Sequence, residues 1–74
     1  MTIDVELFGQ LLPGLARCQT LTLDRTATVA EVASRLGLDP VEVGLILVDG
    51  VQHEMEDVVL PDCRLCFFPL LAGG

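Results

Sequence analysis

The chain reads as an α+β domain, in which one helix packs on a mixed sheet of four to five strands. Three observations point there. Apolar and polar residues alternate near the N-terminus, one segment carries a complete set of helix start, stripe and stop signals, and short strand-like runs follow it. With 74 residues, of which 51% are hydrophobic, there is material for a single core and no second domain. A chain this short buries only about 60% of the surface its unfolded form exposes, which leaves no room for a deep catalytic cleft as well. Function is therefore expected on a surface or at an end.

The elements follow in order. From Thr2 to Phe8, Ile3, Val5 and Leu7 face one way while Asp4 and Glu6 face the other, as in a half-buried strand. The segment from Gly9 to Arg17 contains Pro13-Gly14 and reads as a connecting loop. Alternation resumes from Gln19 to Leu23, completing a hairpin. Thr28 and Glu31 have capping-box spacing, and Val29, Val32, Ala33 and Leu36 form one apolar stripe. Gly37 supplies a left-handed stop, with Leu38 able to fold back onto the helix.

Beyond Asp39-Pro40, the run from Gly44 to Val48 is continuously apolar and reads as a buried or sheet-centre strand. Asp49-Gly50 is a favoured two-residue hairpin turn, returning along Val51 to Glu54. The stretch from Glu54 to Asp62 reads as acidic and irregular, and Arg64 to Phe68 as the last strand. With the helix crossing between strands, the first and last strands can lie side by side and parallel at the centre, the β-grasp arrangement. Residues 1–68 are expected to form the domain and 69–74 an extended, flexible tail.

Charge and composition narrow the partners. The net charge is −7, and all four basic residues are arginines. Such a surface repels nucleic-acid phosphates and anionic membranes, and three phenylalanines as the only aromatics offer little for base stacking. No nucleic acid or membrane partner is expected. The first residues lack a basic, signal-like segment, so a cytoplasmic location is the expectation.

Cys18, Cys63 and Cys66 are an odd set, which suits a reducing compartment. Cys63 and Cys66 fall at the start of a strand, about 10 Å apart on opposite faces and too far apart to bridge. No metal site is expected. His53 reads as an ordinary strand or turn residue, and the acids Glu54, Glu56, Asp57 and Asp62 as a solvated face or a dock for a basic partner. No nucleophile–histidine pair, phosphate loop or paired carboxylates suggest an enzyme.

The chemistry concentrates in Pro69-Leu70-Leu71-Ala72-Gly73-Gly74. Proline cannot continue a sheet ladder, so Pro69 is expected to release the chain from the fold. Six extended residues reach about 20 Å. Two glycines without side chains suit a narrow channel that brings a terminal carboxylate to a reaction centre. Such a carboxylate becomes reactive once adenylated.

The residues carry a family resemblance over essentially the whole chain. Ala27-Thr28-Val29-Ala30-Glu31-Val32-Ala33-Ser34-Arg35-Leu36-Gly37-Leu38, Val48-Asp49-Gly50 and Leu65-Cys66-Phe67-Phe68-Pro69-Leu70-Leu71-Ala72-Gly73-Gly74 resemble the MoaD/ThiS-like sulfur carriers, which are ubiquitin-like β-grasp proteins. The Phe-Phe-Pro and Ala-Gly-Gly pieces are most similar to the molybdopterin synthase small subunit. The chain departs from that pattern at Leu70, in place of a second proline, and at Cys63 and Cys66.

The resemblance implies that Gly74 carries first an adenylate and then a thiocarboxylate, with sulfur passed on for molybdopterin, the molybdenum or tungsten cofactor. Pro69, Leu70, Leu71, Ala72 and Gly73 would occupy a partner's channel. The implied partners are a ubiquitin-activating-type adenylyltransferase, which uses ATP, and the molybdopterin synthase large subunit or an equivalent sulfur acceptor. The carrier itself would hold no cofactor stably. Alternation places Phe8, Cys66 and Phe68 on the sheet face away from the helix, and Ile46 is expected to join them in a docking patch. Alternatives are a protein modifier conjugated through Gly74, or a carrier for thiamin or another sulfur-containing metabolite. Without lysine, the chain cannot form lysine-linked polymers of itself.

Overall fold

The structure, a computed structural model, describes residues 1–9, 11, 14 and 16–70. Strands β1 (Thr2–Leu7) and β2 (Cys18–Thr22) form the N-terminal hairpin, with Ile3 opposite Leu21 and Glu6 opposite Cys18. The second strand starts one residue earlier than its alternation suggests. Leu23 leaves the ladder yet remains tied, its N–H donating to the Met1 carbonyl at 2.7 Å.

Strand β3 (Ala27–Thr28) leads into helix α1 (Val29–Leu36), where the local signals operate together. The Thr28 hydroxyl accepts from the Glu31 N–H, and the Glu31 carboxylate accepts from the Thr28 N–H. At the other end Gly37 is left-handed, and the Leu38 N–H donates to the Ala33 carbonyl at 2.9 Å. This closes the helix with a Schellman pair and buries Leu38. Two further first-turn donors are satisfied from a distance: the Val29 and Ala30 N–H groups donate to the carbonyls of Asp57 and Met55.

A short 3₁₀ turn, Pro40–Glu42, precedes β4 (Val43–Val48). Asp49 and Gly50 both have positive φ, as the tight hairpin into β5 (Val51–Gln52) requires. Strand β6 (Val58–Val59) pairs with β3 as a separate two-stranded sheet. This ordered piece lies inside the stretch expected to be irregular. Its two residues are too short for a period to show, although Val59 is fully buried.

The last strand, β7 (Arg64–Pro69), occupies the middle of the five-stranded order β2-β1-β7-β4-β5. It runs parallel to β1 and antiparallel to β4, as the crossover helix predicts. The core lies between this sheet and α1: Ile3, Val5, Leu65 and Phe67 meet Val29, Val32 and Ala33, all at most 1% exposed. Each large side chain so buried contributes about 1.5–3 kcal/mol of hydrophobic stabilisation.

Two expectations need correction. Ile46 is buried in the core, not on the outer face. It pairs directly with the core residue Phe67, and directly opposed residues share a sheet face. Pro69 does not release the chain. It closes β7 opposite Val43, and the next residue, Leu70, donates its N–H to the Glu42 carbonyl at 2.7 Å. The described fold thus extends two residues past the expected boundary at 68. Leu71, Ala72, Gly73 and Gly74 lie outside the described residues.

Candidate functional site

The outer face of the sheet is organised around one aromatic stack. Phe8 and Phe68 are both half-buried, with ring centroids 4.3 Å apart and planes within 8°. They meet because β1 and β7 are parallel neighbours, and the Phe8 N–H donates to the Phe67 carbonyl at 3.0 Å. The guanidinium carbon of Arg17 lies 4.6 Å from the Phe8 centroid, within cation–π range.

Glu6 sets that arrangement. Its carboxylate accepts from Arg17 Nε at 3.2 Å and from Arg64 Nη1 at 2.7 Å. Both arginine side chains are well exposed, so the pairs contribute about 0–1 kcal/mol each, and their value is in orientation. The Arg17 guanidinium is thereby held over the Phe8 ring.

Cys66 sits on this face, half-buried, between Glu6 of β1 and Leu47 of β4 in the ladder. Burial pushes its thiol up, and the Glu6 charge adds to the effect while Arg64 opposes it. Cys63 lies on the core side, and its thiol is pushed up first by burial and then by the Asp49 carboxylate. The two cysteines point to opposite sides and are free. Among the described residues, no cluster of histidine, cysteine and acidic side chains could hold a metal ion.

Of the four expected docking residues, the structure brings together the three that alternation places on one face, Phe8, Cys66 and Phe68. Leu45 and Leu47 take the place expected for Ile46, pairing with Phe68 and Cys66 respectively. The continuous run Gly44-Leu45-Ile46-Leu47-Val48 has no alternation, so its faces are not readable until the register with β7 is known. Arg17 is also beyond sequence reasoning, because a loop residue carries no periodic signal.

The root of the tail adjoins the aromatic stack. Gly44, Leu45, Phe68, Pro69 and Leu70 line an apolar groove of about 450 Å³. Leu70 is 60% exposed at its rim. The register between β4 and β7 shifts at Gly44, so that Val43 faces Pro69 and Leu45 faces Phe68. Such a bulge is one of the few places where a sheet accepts proline, which has no N–H to give to a ladder.

Two glycines touch this root. A Cβ on Gly44 would stand 2.8 Å from the Leu70 Cα and 3.0 Å from the Pro69 carbonyl oxygen. A Cβ on Gly9 would stand 2.8 Å from Pro69 Cγ, and Gly9 also has φ +66°. An isolated glycine at the start of an apolar run is the sequence signal for such close backbone approach.

One helix on a mixed sheet, with a parallel central pair and the C-terminal strand in the middle, defines the ubiquitin-like β-grasp fold. Among solved structures, SAMP1 from Haloferax volcanii has this fold, with a TM-score of 0.75 over 100% of both chains at 22% sequence identity. Neither a family model nor a curated protein matches the sequence. Among the described residues, no helix is long and apolar enough to cross a membrane.

Proposed function

We propose that the chain is a sulfur carrier activated at the carboxylate of Gly74 and serving molybdopterin synthesis. A ubiquitin-activating-type enzyme joins that carboxylate to AMP from ATP, releasing pyrophosphate. A sulfide-level donor then attacks the acyl carbon and AMP departs with one carboxylate oxygen, leaving a thiocarboxylate. The acceptor, of the molybdopterin synthase large-subunit kind, receives the sulfur. The carrier contributes a handle and a docking face, and its partners contribute the catalysis.

The observation that carries this reading is the position of β7. The strand is held on both sides at the centre of the sheet and presents Pro69 and Leu70 beside the apolar face of Phe8, Phe68 and Leu45. A partner gripping that face is well placed to receive the residues that follow Leu70. The Phe67-Phe68-Pro69 and Ala72-Gly73-Gly74 motifs support the molybdopterin branch.

Intact-mass measurement on protein purified from its own organism tests the reading. The chain should end at Gly74, with a fraction heavier by about 16 Da, the exchange of one oxygen for sulfur. Lysines of other proteins carrying the Leu65–Gly74 peptide in isopeptide linkage, the remnant left by cleavage after Arg64, would instead establish the modifier function. Neither species, together with unimpaired molybdoenzyme activity after deletion of Gly74, would refute sulfur delivery.

A further inference from the structure

We propose that Gly9 and Gly44 are positioning residues. Together they fix the direction in which the chain leaves β7, with Leu70 as the last anchored residue among those described. The consequence for activation rests on the carrier reading, whereas the anchoring stands on the geometry alone.

The two glycines act on different atoms. At Gly44 the crowding is against backbone: the Leu70 Cα, the Pro69 carbonyl oxygen and, at 3.1 Å, the Leu70 nitrogen. No side chain can rotate away, so an added methyl must move the chain itself. At Gly9 the crowding is against the Pro69 ring, whose Cγ and Cδ would lie 2.8 Å and 3.3 Å from a Cβ. The third element is the hydrogen bond from the Leu70 N–H to Glu42. Glu42 closes a 3₁₀ turn that is itself held by the Asp39 carboxylate accepting from the Val41 N–H at 3.0 Å.

Pro69 and Leu70 therefore sit in a seat defined from the β1 end, by Gly9, and from the β4 start, by Gly44. The four residues after Leu70 span at most about 14 Å when fully extended, so a small displacement at the seat redirects the terminal carboxylate. Misplacement of a reacting group by about 1 Å can cost on the order of 100-fold in rate.

The test combines amide hydrogen exchange at Leu70 with steady-state adenylation of Gly74. The adenylation assay uses the cognate adenylyltransferase and ATP, read by pyrophosphate release. Gly44→Ala should accelerate Leu70 exchange at least about tenfold while core amides stay protected. Its kcat/KM for adenylation should fall roughly 10- to 100-fold. Gly9→Ala should do likewise, and Pro69→Ala added to it should restore much of the Leu70 protection by removing the clashing ring. Gly14→Ala, at φ +89° and with no atom of the described residues beyond its chain neighbours within 4 Å of the added Cβ, controls for backbone strain and should change neither readout.

Unprotected Leu70 in the unsubstituted chain would overturn the anchoring. Accelerated exchange in Gly44→Ala with kcat/KM within about twofold of the original would overturn the positioning role. If Gly44→Ala does not fold, the Gly9–Pro69 pair decides, and absence of rescue overturns the proposal. Failure of the carrier reading looks different. The unsubstituted chain would then form no adenylate, while Leu70 exchange would still support or overturn the anchoring.

Discussion

Phe67 and Phe68 are consecutive residues of β7, yet the sheet separates them completely. Phe67 is fully buried and packs into the core. Phe68 turns to the other side, where it stacks on Phe8 and lines the groove at the tail root. The same pairing with β4 serves both: Ile46 lies opposite Phe67 and Leu45 opposite Phe68. One face is closed by the helix and spends its apolar surface on stability. The other keeps a smaller apolar patch partly open, bordered by Glu6, Arg17 and Arg64. A single strand thus supplies the fold with one set of side chains and the proposed docking surface with the alternate set.

The largest effect should come from breaking the inner face. Phe67→Ala is expected to cost about 3–5 kcal/mol, because the cavity it leaves is lined by a sheet and helix that cannot collapse onto it. Urea unfolding would measure this, and a loss comparable to that of an exposed site would contradict the assigned core.

Phe68→Ala sharpens the contrast. The stack it removes is worth about 0.5–1.5 kcal/mol beyond its buried area, so the chain should stay folded and lose modestly in stability. Binding to the proposed sulfur-accepting partner, followed by calorimetry, should weaken far more than stability does. Equal binding by Phe68→Ala and the original chain would remove this face from the docking surface.

The smallest effect is a pH dependence. Both Cys63 and Cys66 have thiols raised above the ordinary 9.0, chiefly by burial. The folded chain therefore keeps these protons at a pH where the unfolded chain releases them, and it binds more protons in that window. Stability should be unaffected well below 9.0 and fall as the pH rises through and beyond it. The sequence has no lysine or tyrosine, so few other groups titrate there. Urea midpoints compared at about pH 7 and about pH 10 should show the decline, and Cys63→Ala should reduce it. A midpoint independent of pH over that range would contradict the burial of these thiols.

Legibility in the sequence followed the range of each interaction. The helix was readable to within a residue because Thr28, Glu31, Gly37 and Leu38 act on groups three to five positions away. Strand β1 was readable because alternation of Ile3, Val5 and Leu7 is itself the signature of a half-buried strand. Ile46 was misplaced because an unbroken apolar run leaves the facing open. Strand β6 was missed because a two-residue pairing has no period, and its partner β3 is thirty residues away in the chain.

The site divides along the same line. Phe8, Cys66 and Phe68 followed from counting along β1 and β7 in twos. Glu6, Arg17 and Arg64 did not, because their mutual contacts join three separate segments. Pro69 shows the limit most clearly. Read locally, it is a residue that ends a strand. In the folded chain a bulge at Gly44 supplies a setting in which the strand can include it.

Local signals are enough for the inventory: one helix with both caps, the hairpins, the apolar residues for a single core, and the Gly73-Gly74 pair. These depend on backbone conformations and neighbours close in the chain. The face that Ile46 takes, the orientation of Arg17 over Phe8 by Glu6, and the seat of Pro69 and Leu70 between Gly9 and Gly44 emerge only in the assembled fold. Those outcomes depend on strand register and on the approach of distant backbones, and no local pattern of residues encodes either.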